Sequence, residues 1–265
     1  MATIPSNNST CPNNPWSDIG WNKTMCDADR AYLTEKGIRL LTNHPELQDD
    51  DCIIHDNLLP EPFYGDLNAN VYMLSGNPGY SPEDDAIRVD PERRKLLEQL
   101  IKGNLTQNNP NVYWLDQNQP VRQACERGIY HPKKDPKRDG YDWWNDVIRE
   151  LRSACGQQTP NLCNIELFPY QSKKMGNIKS LDLPSNAYVD WWIKDATRKK
   201  KWILIMRCAG DWLRRIPELV DYKNKSGKVF VGSSINITLS QNNLKRKIDM
   251  EKSEWDELVN ACRSY

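Results

Sequence analysis

The sequence lacks the features that mark several common classes of site. Its eight cysteines include no CxxC pair, which argues against a structural zinc site or a compact iron–sulfur ligand set. Its 36 basic residues balance 36 acidic ones, so any nucleic-acid surface must be local rather than global. No apolar run approaches the roughly 18 residues of a membrane span. We therefore expect a polar globular protein with no metal and no membrane partner.

Two further scarcities bear on the type of protein. The opening residues, MATIPSNNST, lack a basic region followed by an apolar core, so the sequence predicts no secretory signal and a cytoplasmic protein with reduced cysteines. Phenylalanine is rare, with three Phe against ten Trp and eleven Tyr. Such rings can stack on nucleic-acid bases, but an aromatic-rich core is the commoner explanation.

Apolar strands alternate with amphipathic helices along the chain. Strands are predicted at 70–75, 164–169, 202–206 and 228–232, and helices at 27–41, 91–102, 141–155, 184–199, 211–219 and 254–262. This alternation is typical of a three-layer α/β/α sandwich with a mainly parallel central sheet. We expect an N-terminal arm over residues 1–26 and one α/β domain over 27–265, with a polar insertion at about 104–140.

Sites in open parallel sheets form outside the carboxyl ends of the strands. Four such ends read GNPGY at 76–80, FPYQS at 168–172, RCAGDW at 207–212 and SSINITLSQNN at 233–243. Taken singly, each is more often an ordinary turn than a site.

Together these motifs resemble the uracil-DNA glycosylase superfamily over roughly residues 65–250. The mismatch-specific branch shows Gly-x-Asn-Pro-Gly at the first motif, where this chain has Ser75 in the leading position. ThrLeuSer at 238–240 fits the end of the last family motif, and Ile235 or Asn236 stands where the family has His or Asn. The resemblance implies a glycosylase-like fold and hydrolysis of the bond between deoxyribose and a flipped base, with no cofactor.

The resemblance also implies roles for individual residues. Asn77 falls where the family positions the attacking water, although a turn residue that tolerates an unusual backbone angle is the simpler interpretation. Asn236 is the candidate for the group that stabilises the leaving base. Gly79 falls where the uracil-specific branch has a Tyr that excludes 5-methyl pyrimidines, so a glycine leaves room for a base enlarged at C5.

The remaining assignments concern binding. Leu239 matches the leucine that enters the base stack and holds the flipped state. Substrate contacts are predicted for Gly76, Tyr80 and Phe168, and DNA contacts for Ser172, Lys173 and Ser240.

Glu166 carries the prediction about the base. If Pro169 is aligned with the proline of the single-strand-selective branch, Glu166 takes the position of the family's Asn. That Asn recognises the edge of the pyrimidine through hydrogen bonds. A carboxylate only accepts hydrogen bonds, which suits an amino group such as cytosine N4 and disfavours uracil O4. A protonated Glu166 would also donate to N3 or O2. An ordinary strand-edge glutamate is the alternative, but between Ile165 and Leu167 it must face something polar.

Glu166 and Gly79 together predict a monofunctional DNA glycosylase that removes a C5-enlarged, cytosine-type base and leaves an abasic site. The superfamily includes a phage-defence glycosylase that acts on glucosylated hydroxymethylcytosine. The resemblance therefore implies antiviral defence, with single- or double-stranded DNA, including phage DNA, as the partner. Two alternatives stay open: a repair glycosylase for uracil or a mismatched base, and a non-catalytic module of the same fold that binds DNA or a nucleotide.

Overall fold

The structure is a computed structural model that describes residues 10–20, 22–80, 91–102, 140–158, 160–232, 238–245 and 250–263. The described strands are β1 (Phe63–Tyr64), β2 (Val71–Ser75), β3 (Cys163–Glu166), β4 (Trp202–Ile205), β5 (Val229–Gly232) and β6 (Leu244–Lys245). The described α-helices are α1 (Asp27–Glu35), α2 (Pro91–Ile101), α3 (Gly140–Ala154), α4 (Asn186–Arg198), α5 (Ala209–Arg215), α6 (Glu218–Ser226) and α7 (Lys252–Arg263).

All six strands belong to one mixed sheet in the order β1-β3-β2-β4-β5-β6. The four central strands β3, β2, β4 and β5 run parallel, and the two-residue strands β1 and β6 close the edges in antiparallel pairing. The α/β class and the mainly parallel sheet predicted from the sequence are thus confirmed. Every residue of β2, β3 and β4 is buried, as expected for parallel strands that lie inside a protein.

The strand order reverses direction at one place in the sheet. The chain passes from β2 to β3 on one side and later places β4 on the other side of β2. In open parallel sheets such a reversal leaves a crevice outside the carboxyl ends of the two strands that flank it. The GNPG turn follows β2, and Arg207 and Cys208 follow β4, so both segments lie at this reversal.

Three predicted elements end more than one residue earlier than the sequence pattern indicated. Helix α1 stops at Glu35 rather than residue 41, because the chain turns at Gly37 (φ +67°) and the Ile38 amide bonds back to the Leu33 carbonyl at 2.9 Å. The predicted helix 211–219 is two helices, α5 and α6, because Pro217 has no amide hydrogen with which to continue the first one. Strand β3 stops at Glu166 instead of residue 169.

The described part of the N-terminal arm belongs to the main core. Trp16 and Ile19 are fully buried, and the Trp16 ring meets Phe63 and Tyr188 with ring centres 6.4 and 6.0 Å apart. The arm is therefore packed against the sheet domain from Trp16 onward. The predicted insertion at 104–140 lies outside the described residues, apart from its last position.

None of the described helices combines the length and the apolar character needed to cross a membrane.

Candidate functional site

The candidate site lies at the carboxyl ends of β2 and β3. Ser75, the last residue of β2, pairs in register with Glu166, the last residue of β3. Asn77 follows two residues after Ser75, and its side-chain Nδ2 donates to the carbonyl and to the hydroxyl of Ser172, both at 3.1 Å. The Phe168 amide donates to the Gly76 carbonyl at 2.9 Å. The two predicted central residues, Asn77 and Glu166, therefore lie at the same edge of the sheet.

A buried line of hydrogen bonds leads from Ser75 to Glu166. Ser75 Oγ donates to Asn164 Oδ1 at 2.6 Å, and Asn164 Nδ2 donates to Glu166 Oε1 at 2.7 Å. All three side chains are at most 5% exposed. Asn164 and Glu166 share one face of β3 because side chains two apart on a strand point the same way. We call this set the Ser75–Asn164–Glu166 chain.

The two carboxyl oxygens of Glu166 differ in their hydrogen bonding. Oε2 is buried and has no hydrogen-bond partner among the described residues. Burial raises the pKa of Glu166 to about 8; the Asn164 hydrogen bond and the positive charge of Arg207 oppose this shift, and the negative charge of Glu61 adds to it. A buried polar atom without a partner carries a desolvation cost that a ligand can relieve. At neutral pH the carboxyl group holds its proton.

Asn77 is oriented by the loop that follows β3. Ser172 is fully buried, and its hydroxyl also donates to the Lys174 carbonyl at 3.0 Å. With Nδ2 of Asn77 committed to Ser172, the amide oxygen Oδ1 is the atom left to accept a hydrogen bond from a water molecule. An amide cannot take the water's proton at neutral pH, so this arrangement can orient a water and not deprotonate it.

The two glycines of the GNPG turn serve different purposes. A Cβ placed on Gly76 would lie 2.9 Å from Met175 Sδ and 3.3 Å from Cys208 Sγ, so any larger residue there would require these side chains to shift. Gly79 has φ +70° and would meet nothing described within 4 Å. The backbone angle alone explains this glycine, and the room for an enlarged base beside it stays a prediction.

Beyond Gly79, an aromatic pair flanks the turn. The rings of Tyr80 and His55 are stacked, with centres 3.3 Å apart and planes 12° from parallel. The His55 amide donates to the Gln171 carbonyl at 2.9 Å, which ties this pair to the loop after β3. Gln171 Nε2 donates to Glu61 Oε1 at 2.7 Å, while Gln171 Oε1 is buried without a hydrogen-bond partner in the described part of the chain.

Several residues of this cluster were not predicted from the sequence. Asn164 had a detectable signal, since a polar residue two positions before Glu166 in an apolar strand falls on the same strand face. Gln171 and Arg207 lie in the strand-end segments at 168–172 and 207–212, although no role was predicted for either residue. Glu61 and His55 had no signal, because loops distant in sequence bring them to the site.

Arg207 is the cation of the site. It follows β4, is exposed, and its β-carbon lies 3.9 Å from where a Cβ on Gly76 would be. An exposed guanidinium at this edge can meet a phosphate or another anion without a large desolvation cost.

Three predicted DNA contacts are not supported by their positions. Leu239 is fully buried in the main core, with its amide bonded to the Val147 carbonyl, so it is not exposed to enter a base stack. Ser172 and Ser240 are at most 5% exposed, so neither hydroxyl lies on the surface that a phosphate backbone would meet. Ser172 instead orients Asn77.

The other predicted residues have varied surroundings. Phe168 is buried in the smaller core cluster beside α1, where its ring meets that of Tyr170 edge-on. Lys173 is half-buried, and its neighbour Lys174 forms an ion pair with Asp51 at 2.6 Å. Asn236 lies outside the described residues.

Across the described ranges, no group of three or more His, Cys, Asp or Glu side chains is arranged to hold a metal ion.

No protein-family model, no curated protein and no solved structure matches this chain.

Proposed function

We propose that the protein is a monofunctional DNA glycosylase that hydrolyses the N-glycosidic bond of a cytosine-type base. The observation that carries the proposal is the placement of Asn77 and Glu166 at one sheet edge, where a buried carboxyl oxygen has no described partner. A base edge is a ligand that such a buried polar atom can recognise, and a water-orienting amide beside it supplies the nucleophile. The finer fold assignment, a three-layer glycosylase-like sandwich, is part of the same proposal.

The choice of a cytosine-type base is supported by two buried polar atoms, Glu166 Oε2 and Gln171 Oε1, which both lack described partners. Gln171 Oε1 can accept from the exocyclic amino group of cytosine, and a neutral Glu166 can donate from Oε2 to ring N3 of cytosine. Uracil offers neither match, because it has O4 in place of the amino group and a hydrogen on N3. The open space beside Gly79 allows a substituent at C5. We therefore propose a C5-enlarged cytosine as substrate and defence against phage with modified DNA as the role.

The buried position of Leu239 favours a substrate that is already single-stranded. A glycosylase that opens a duplex needs an exposed apolar wedge to replace the flipped base. Without Leu239 as that wedge, we propose that an unpaired strand is used in preference to a duplex, since its base costs less to expose.

The test is base release from oligonucleotides that each carry one uracil, cytosine, hydroxymethylcytosine or glucosylated hydroxymethylcytosine, as single strands and as duplexes. Alkali then cleaves the strand at every abasic site. We expect cleavage at the modified cytosines, faster in the single strands. Cleavage only at uracil would instead support an ordinary repair enzyme.

A non-catalytic DNA- or nucleotide-binding module is the second candidate, and the burial of Leu239 and Ser240 favours it. Binding to the four single strands without any abasic product would establish this candidate in place of the glycosylase.

A further inference from the structure

Glu166 is placed to do more than recognise a base. Asn164 Nδ2 can only donate, so Glu166 Oε1 must be the acceptor oxygen of the carboxyl group. When the group is protonated, the hydrogen therefore sits on Oε2, the oxygen without a described partner. The Ser75–Asn164–Glu166 chain thus fixes which oxygen carries the proton and leaves that oxygen available to a ligand.

A neutral carboxyl group held this way matches one edge of cytosine. Its O–H can donate to ring N3, while the remaining lone pair of Oε1 can accept from the N4 amino group. The bond from deoxyribose to a pyrimidine breaks more easily when the base leaves as a neutral molecule than as an anion. Proton donation to the leaving base in the transition state is general acid catalysis.

We propose that Glu166 is the general acid of base release and that Ser75 and Asn164 are positioning residues that hold its proton on Oε2, facing ring N3 of the pyrimidine. This inference rests on the proposed function. In the step, the proton moves from Oε2 to N3, and the C1′–N1 bond breaks with its electron pair going to the base. Water oriented by Asn77 adds to C1′ and loses a proton to solvent, and solvent returns a proton to Glu166.

The charged and titratable groups around Glu166 favour the protonated form. Burial has the largest effect on the pKa of Glu166 and raises it, and Glu61, which precedes β1, adds to this effect because it opposes a second negative charge. Arg207, after β4, acts in the other direction. The Cys208 thiol also interacts with Glu166, and burial raises the pKa of that thiol, so it remains uncharged. Strand β2 contributes only the neutral hydroxyl of Ser75.

The first experiment measures single-turnover base release between pH 5.5 and 9.5, from a single strand with one glucosylated hydroxymethylcytosine. We expect the wild-type rate to be constant at low pH and to fall about tenfold per pH unit above the pKa of Glu166, about 8. Glu166→Gln keeps the shape and hydrogen-bonding ability but has no proton to transfer. We expect it to be about 100-fold slower at pH 6.5, with no inflection.

The positioning residues have their own signature. Asn164→Leu removes a hydrogen bond that lowers the pKa of Glu166, so the inflection should move to higher pH while the rate at low pH falls. Ser75→Ala should lower the rate, and Ser75→Thr, which keeps the hydroxyl, should restore it. A merely structural role would lower rates without moving the inflection.

A second measurement is independent of activity. The protein labelled with ¹³C at glutamate carboxyl carbons is titrated by NMR, and the Glu166 signal is identified by its loss in Glu166→Gln. We expect its midpoint above pH 7. A midpoint near 4.5, or wild-type base release at a constant rate across the whole pH range, would overturn the general acid while leaving the glycosylase intact. No release from any DNA would overturn the proposed function, and this inference with it.

Discussion

At the scale of single residues, Asn77 and Glu166 divide the proposed chemistry between them. The Nδ2 atom of Asn77 donates two hydrogen bonds to Ser172. The side-chain oxygen Oδ1 is therefore the atom that remains to bind a water molecule. Glu166 is held at Oε1, while Oε2 is buried without a described hydrogen-bond partner. In both side chains one atom anchors the group and the other remains available, which is the preorganisation that a reacting site requires.

Replacing Asn77 with Ala should abolish base release while DNA binding persists. The side chain is needed to orient the water, but it provides few contacts for a strand that binds mainly through backbone charges. The measurement is single-turnover cleavage together with a fluorescence-anisotropy binding curve. Asn43→Ala, at an exposed asparagine, is the matched control. Retained base release in Asn77→Ala would remove Asn77 from the mechanism.

Glu166 should also make the stability of the fold depend on pH. Its pKa is about 8 in the folded chain against 4.5 for the free group. The unfolded chain therefore loses a proton between these values while the folded chain keeps it, so the free energy of unfolding falls as the pH rises through this range. The contribution of Glu166 to the free energy of unfolding should be roughly 3 kcal/mol lower at pH 7 than at pH 4.

Urea unfolding of wild type and Glu166→Gln at pH 4, 5.5, 7 and 8.5 isolates this contribution. Since Gln cannot ionise, the variant should gain stability relative to wild type as the pH increases. A difference between the two proteins that stays constant with pH would mean that Glu166 is ionised in the folded chain.

At the scale of elements, the site is built from the carboxyl ends of the neighbouring strands β2 and β3 and from the GNPG turn that follows β2. Gly76 allows the side chains of Met175 and Cys208 to pack closely against the turn. The indole Nε1 of Trp212, on α5, donates to the Ser75 carbonyl at 2.8 Å and so fixes the end of β2. Arg215, at the end of α5, donates to the Leu167 carbonyl at 2.8 Å. One helix thus supports the ends of both β2 and β3.

The glycines of the turn should respond differently to a methyl group. Gly76→Ala forces Met175 and Cys208 apart, which should cost roughly 1–3 kcal/mol of folding free energy. Gly79→Ala only strains a left-handed backbone angle, at about 1 kcal/mol. Gly156→Ala, with φ +73° and open space, is the control for Gly79. Urea unfolding checks the three values, and an equal cost at Gly76 and Gly156 would contradict the close packing.

At the scale of the whole molecule, the arm and the sheet form one core. Trp16→Ala should lower the free energy of unfolding by about 3–5 kcal/mol, because it removes a fully buried ring between Phe63 and Tyr188. Cys11→Ser, at an exposed position of the same arm, should change it little. Thermal or urea unfolding measures both, and a small loss for Trp16→Ala would mean that the arm is detached from the core in solution.

Much of the fold followed from local patterns in the sequence. Runs such as WILIM at 202–206 are apolar on both faces, and this alone indicates a strand inside a parallel sheet. Helices were located by apolar spacing, and they were misjudged where Gly37 and Pro217 interrupt a pattern that continues beyond them. Trp16 was assigned to the N-terminal arm rather than to the core, because no periodicity distinguishes a buried tryptophan in a Pro- and Asn-rich segment from an exposed one.

The sequence by itself determined the four parallel strands, the turn after β2 and a carboxylate in an apolar strand, because these depend on neighbours in the chain, whereas the two short edge strands β1 and β6 were not predicted. Only the tertiary structure decided that Ser75 and Asn164 form a hydrogen-bonded chain to Oε1 of Glu166 and that Ser172 accepts hydrogen bonds from Asn77. It also decided that Leu239 lies in the core. These contacts join residues up to 95 positions apart. Burial, which raises the pKa of Glu166, is likewise a property of the assembled fold.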